Sequence, residues 1–185
     1  MIMQAEEYSL IEQCRDGNSE AYAVLVGRYQ EMVYNVACRM IGDRDAAYDI
    51  SQESFISAYD GLKRFRSDSK FSTWLYSITV NKCRDYLRCR KPDIPLDEVT
   101  AILPSKMPGP EESMHQKQLG QTLQTAIGSL PEDYREVIVL KHIEGLDYKE
   151  MEAILGVSGN TLKVRTYRAR EMLRKVLLEA GVSNG

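Results

Sequence analysis

A chain of 185 residues with 43% hydrophobic and 28% charged residues has a globular make-up, with room for one medium domain or two small ones. It holds no run of about 18 apolar residues, and its start, MIMQAEEYSL, is acidic with no apolar segment, so a membrane span and a secretory signal are both excluded. The net charge of −3 hides segregation: residues 63–91 carry nine Lys/Arg against two Asp, and residues 158–178 carry six against one Glu. Two basic islands on an acidic body point to two surfaces for a polyanion.

In chain order, the apolar spacing predicts helices over 5–16, 18–41, 44–60 and 72–90. Residues 91–116 hold five of the six prolines and have no period, which reads as a flexible linker. Helices are expected again over 113–128, 132–143, 147–155 and 159–179, and no strand pattern is present. The expected fold is therefore all-α: an N-terminal module over 1–90, a Pro-rich linker over 91–116 and a C-terminal module over 117–185. The cysteines, Cys14, Cys38, Cys83 and Cys89, form no CxxC pair and no metal-like spacing with His115 or His142, so free thiols in a cytoplasmic protein are expected. No Walker loop, metal cluster or nucleophile–base arrangement appears, which argues against an enzyme and leaves no cofactor to assign.

Three helical faces carry the functional signal. In the helix after Asp43, Ala47, Ser51, Phe55, Ala58 and Tyr59 share the core side. Asp49, Gln52, Glu53, Ile56 and Asp60 lie opposite, and an isoleucine ringed by carboxylates has the texture of a protein-docking surface that repels DNA. In the first basic island, Tyr76, Val80, Cys83 and Leu87 form an apolar stripe, while Trp74, Ser77, Asn81, Arg84 and Arg88 face away. With Phe65, Arg66 and Phe71 just before them, they combine aromatics and cations as single-stranded DNA binding requires. For Trp74, closing a small core is an equal alternative.

The third face lies in the second island. Gly156 offers a left-handed stop to one helix, and Ser158 is an N-cap for the next, the pattern of a helix-turn-helix. Leu162, Ala169, Met172, Leu173 and Val176 are expected to pack inward. Ser158, Asn160, Thr161, Lys163, Val164, Tyr167 and Arg168 are left for DNA, where apolar groups meet thymine methyls and cations reach guanine.

These segments, AYDISQESF, FRSDSKFSTWLYSITVNKCRDYLR and LPEDYREVIVLKHIEGLDYKEMEAILGVSGNTLKVRTYRAREMLR, together resemble a bacterial RNA polymerase sigma factor of the extracytoplasmic-function (ECF) type. The resemblance implies an alternative sigma factor that binds core polymerase, recognises minus-35 and minus-10 promoter elements and initiates transcription in response to stress. By it, Asp49, Gln52, Glu53 and Ile56 would dock on the clamp coiled coil of the largest subunit, with the flap as a second polymerase contact. Phe65, Arg66, Phe71, Trp74, Ser77, Asn81, Arg84 and Arg88 would recognise and melt the minus-10 element. The helix from Ser158 would read minus-35, and an anti-sigma factor would hold the protein inactive. A stand-alone helix-turn-helix regulator would account for residues 130–178 alone. The chain departs from the family at Tyr48, where Glu is common, at Glu152, where a small residue is usual, and at Asn160–Arg165, often Gly-Thr-Val-Lys-Ser-Arg in the family.

Overall fold

The computed structural model describes residues 2–66, 68–90 and 114–182. Among these all regular structure is helical: α1 (Ile2–Arg15), α2 (Ser19–Ile41), α3 (Arg44–Gly61), α4 (Phe71–Arg90), α5 (Met114–Gly128), α6 (Glu132–Ile138), α7 (Tyr148–Leu155) and α8 (Gly159–Glu179). The expected linker lies outside the described residues except for its last three, which already belong to α5.

Local chemistry sets the boundaries. Asn18 caps α2, its Oδ1 accepting from the backbone N–H groups of Glu20 (3.0 Å) and Ala21 (3.2 Å). Asp43 caps α3 in the same way through Asp45 and Ala46. Such caps satisfy N–H groups that the first turn leaves without a partner. Between α2 and α3 the chain turns at Gly42, whose φ of 78° is open to glycine at little cost. Asp147 and Glu150 form a reciprocal capping box at the start of α7. After α6 the helix widens into a π turn over Val139–Ile143, which stops at Gly145.

Two apolar clusters form the core. One is internal to the N-terminal half and joins Ile11, Leu25, Val33, Phe55, Leu62, Phe65, Phe71 and Leu75. The other crosses between the halves: Val36, Met40, Ile50, Tyr76, Val80 and Cys83 meet Ile127, Val137, Leu140, Met151, Leu155 and Leu162. The apolar stripe of α4 is thus covered in part by the C-terminal module. Each large side chain in this seam contributes about 1.5–3 kcal/mol on leaving water. Burial pushes the Cys83 thiol up to about 12, so it stays protonated and unreactive at neutral pH.

Two expectations about helix faces need correction. Met172 is 38% exposed, and Thr166 is buried in its place, its hydroxyl donating to the Leu162 carbonyl at 2.8 Å. The residues at 162, 166, 169 and 173 follow the spacing of a single buried stripe, and Met172 falls at its edge. Tyr59 is 42% exposed, because its ring stands edge-on to Tyr22 at 4.8 Å on the rim of the core.

Candidate nucleic-acid interface

The α7–turn–α8 unit is a helix-turn-helix. Gly156 ends α7 with φ 67°, its N–H donating to the Glu152 carbonyl, and Ser158 caps α8 through the Thr161 N–H. With Leu162, Thr166 and Ala169 buried, Asn160, Thr161, Lys163, Val164, Tyr167 and Arg168 stand exposed, as does Ser158. Val164 is 51% and Tyr167 67% exposed, so this helix carries apolar side chains outward among cations. Arg165 sits behind them, paired with Asp133 of α6 at 3.0 Å.

The minus-10 candidates are arranged differently. Phe65 and Phe71 are 5% and 2% exposed and cannot stack on a base from where they stand. They correct the sequence expectation, because composition does not distinguish an aromatic that meets a base from one that fills a core. With Trp74 they form a packed triad, Phe65–Trp74 at 4.9 Å, Phe71–Trp74 at 5.6 Å and Phe65–Phe71 at 5.8 Å. Trp74 is the half-buried outer member. It lies against the end of α3, where a Cβ on Gly61 would come within 3.2 Å of the indole. Arg15 ties the following loop down, donating to the carbonyls of Leu62 and Phe65.

Along α4, Asn81 and Arg88 are exposed, and so is Arg66 before the helix. Ser77 is half-buried and donates to the Trp74 carbonyl at 2.6 Å. Arg84 is engaged elsewhere. Its guanidinium forks onto Glu136 of α6, at 2.5 Å from Nε and 2.7 Å from Nη2, while Nη1 reaches Asn81 Oδ1 at 3.3 Å. The Glu136 side chain has no exposure, against 23% for Arg84. Burial pushes the Glu136 carboxyl above the usual range even though Arg84 opposes that shift.

Further contacts join the same two halves. The Tyr76 hydroxyl donates to Glu144 at 2.6 Å, and Lys70 pairs with Glu150 at 2.7 Å. Arg135 donates to the Met40 carbonyl at 2.5 Å, and Gln124 bonds the Cys38 carbonyl and the Arg39 side chain. Acids of the C-terminal module thus occupy two cations and a phenol of the first basic island. Sequence reasoning missed this set. Its one visible trace is Glu136, an acid directly before the apolar run Val137–Leu140.

On α3, Asp49, Gln52, Glu53 and Ile56 are all exposed, Ile56 by 62%. Glu53 is bridged to Lys82 at 3.3 Å. Tyr48, 57% exposed, stands beside Asp49 and puts a second exposed apolar side chain on this helix, about two turns before Ile56. No helix among the described residues is long and apolar enough to cross a membrane.

The Sigma-70 region 2 family matches residues 25–92, and the Sigma-70 region 4 family matches residues 120–173. The chain is 39% identical over 176 residues to the ECF RNA polymerase sigma factor SigW of Bacillus subtilis (strain 168), covering 90% of this chain and 94% of that protein. Its fold matches the structure of CnrH in complex with the cytosolic domain of CnrY, with a TM-score of 0.71 and 28% identity over 95% of this chain and 98% of that one. It also matches the fold of the sigma factor RpoE of Bartonella quintana, solved with the anti-sigma factor NepR, at a TM-score of 0.67 and 23% identity, covering 84% and 96%.

Proposed function

Because this chain belongs to the ECF sigma factors of bacterial RNA polymerase, we propose that its three faces divide promoter recognition and that the structure is its closed state. The protein is a promoter-recognising initiation factor that binds core RNA polymerase. The chemistry of RNA synthesis belongs to the polymerase, and the protein acts in the cytoplasm. Residues 1–90 serve polymerase docking and the minus-10 element, 117–185 serve minus-35, and 91–116 tether them.

Lys163, Val164, Tyr167 and Arg168 read minus-35 base edges, with Ser158, Asn160 and Thr161 at the start of the helix. The support is the outward apolar pair Val164 and Tyr167 flanked by cations, a texture that a solvated surface does not need. Asp49, Gln52, Glu53 and Ile56 dock on a basic surface of the polymerase clamp. Arg66, Trp74, Ser77, Asn81, Arg84 and Arg88 serve the minus-10 element, with Phe65 and Phe71 shaping the platform under Trp74.

The observation that carries the closed-state reading is the buried Arg84–Glu136 pair. While it stands, a cation needed at minus-10 is held by the module that reads minus-35. The two promoter elements are separated along the DNA, so both cannot be engaged until the modules part. An anti-sigma factor fits this scheme as a partner that keeps them together, and the complex of the similar CnrH with a cytosolic domain supports such a partner. Run-off transcription tests the reading: core polymerase alone yields no specific transcript, and adding this chain yields one. A transcript of unchanged yield from Glu53→Lys or Ile56→Arg would remove the α3 face from docking.

A further inference from the structure

The turn between α7 and α8 holds a contact that explains an unusual residue of this chain. Glu152 stands on α7, and its Oε1 accepts a hydrogen bond from the Gly159 N–H, the first residue of α8. The carbonyl of the same Glu152 accepts the Gly156 N–H at 2.9 Å and closes α7. One residue therefore holds both sides of the turn, the end of one helix by its backbone and the start of the next by its side chain.

Gly159 matches it. Its φ is not among the positive values in the chain, so no left-handed conformation calls for glycine there. A Cβ at this position would lie 3.0 Å from Oε1 and 3.4 Å from Cδ of Glu152. The missing side chain makes room for the carboxylate. The first turn of α8 carries no acid of its own, so Glu152 supplies the negative charge that the positive end of a helix favours. Ser158 satisfies a different N–H, that of Thr161, so the two caps are complementary.

We infer that Glu152 and Gly159 are a matched pair that fixes the angle of the reading helix against α7, making Glu152 a positioning residue for minus-35 discrimination. The inference rests on the reading of α8 as the minus-35 helix. Charge-assisted hydrogen bonds of this kind are roughly twice as strong as neutral ones. Base readout demands placement within roughly 0.5 Å and 10–20°, which a free three-residue turn would not hold. Without Glu152, α8 still folds, since Ser158 caps it and Leu162, Thr166 and Ala169 anchor it. What is lost is its direction.

The test uses the full chain bound to core polymerase. Wild-type holoenzyme selects a promoter from a pool with a randomised minus-35 segment and a fixed minus-10 segment. The readout is the run-off yield on that promoter divided by the yield on one with its minus-35 segment scrambled, a ratio in which sequence-independent losses cancel. Glu152→Ala lowers the ratio by about tenfold, the worth of one base contact. Glu152→Gln, whose amide oxygen can accept the same bond without the charge, loses about threefold, roughly half the effect in free energy. Gly159→Ala, whose Cβ the flexible carboxylate end must yield to by a few tenths of an ångström, lowers the ratio less than Glu152→Ala does, and adding it to Glu152→Ala costs nothing further, because both act on one contact. An unchanged ratio for Glu152→Ala would overturn the inference, as would an equal loss in Glu152→Gln, which would assign the effect to charge. A wild-type holoenzyme that selects no minus-35 sequence would instead overturn the reading of α8 itself, and this inference with it.

Discussion

The two basic islands are built to opposite plans. On α8 the side chains expected to meet DNA stand in solvent: Lys163, Val164, Tyr167 and Arg168 are exposed above a small buried stripe. On α4 and the loop before it, the aromatics are folded inward and Arg84 is taken by Glu136. A surface that only binds duplex DNA can be ready at all times. One that opens DNA binds any exposed single strand, so a protein that covers it until polymerase is engaged avoids idle binding. The difference between the islands is thus a difference in when each becomes available.

The largest expected effect breaks the platform itself. Phe71→Ala removes a ring that is 2% exposed from the N-terminal cluster and costs about 3–5 kcal/mol. Its measurable sign is a lower denaturation midpoint for the full chain. A normal midpoint with slow promoter opening would return Phe71 to the DNA surface. Next comes the pair that joins the modules. Arg84→Ala leaves Glu136 buried without its partner, a loss of about 3 kcal/mol to the closed form. The mirror variant is unequal: Glu136→Gln removes the buried charge and leaves Arg84 with access to water, so the modules stay closed. Protease sensitivity of the inter-module segment separates the two, with Arg84→Ala cleaved faster than wild type and Glu136→Gln not.

The same asymmetry gives a pH dependence. Burial raises the Glu136 carboxyl, so its contribution to the closed form is fully present below the ordinary carboxylate range and fades as pH rises through the raised value. Closure therefore tightens as pH falls through that raised value, and Glu136→Gln abolishes this dependence. Tryptophan fluorescence or protease sensitivity across that range checks it.

Smaller effects sharpen the contrast on the open side. Lys163→Ala and Arg168→Ala each lose about 1–3 kcal/mol on the selected minus-35 sequence and little on others. A uniform loss on all DNA would assign them to phosphates. The smallest effect is Lys70→Ala. Its pair with Glu150 is 61% exposed on the lysine side, and such pairs contribute roughly 0.2–1 kcal/mol, so the modules remain closed.

Most of the fold was legible because its punctuation is local. Asn18, Asp43, Gly42, Gly156 and Ser158 each act within three or four residues, and the helices begin and end beside them. The outward face of α8 was legible for the same reason, since helical period alone separates Lys163 and Tyr167 from Leu162 and Ala169. The α4 face was less so. Phe65 and Phe71 have the composition of a base-stacking loop, and their burial depends on α1 and α2, which local pattern does not place. Arg84 and Glu136 are 52 residues apart in the chain, and their pairing follows from how the halves meet. Glu152 stood out as a departure from the family, but its reason lies in Gly159, a residue that attracts no notice until the carboxylate is seen beside it.

The central claim is that the C-terminal module holds Arg84 and the apolar stripe of α4 in the free protein and releases them when polymerase binds. Energy transfer between one label on each module measures this directly, in the free chain and after addition of core polymerase with promoter DNA. The account predicts high transfer in the free chain and a marked drop in the complex, with Arg84→Ala already low when free. Equal transfer in the free and polymerase-bound wild-type chain would contradict it.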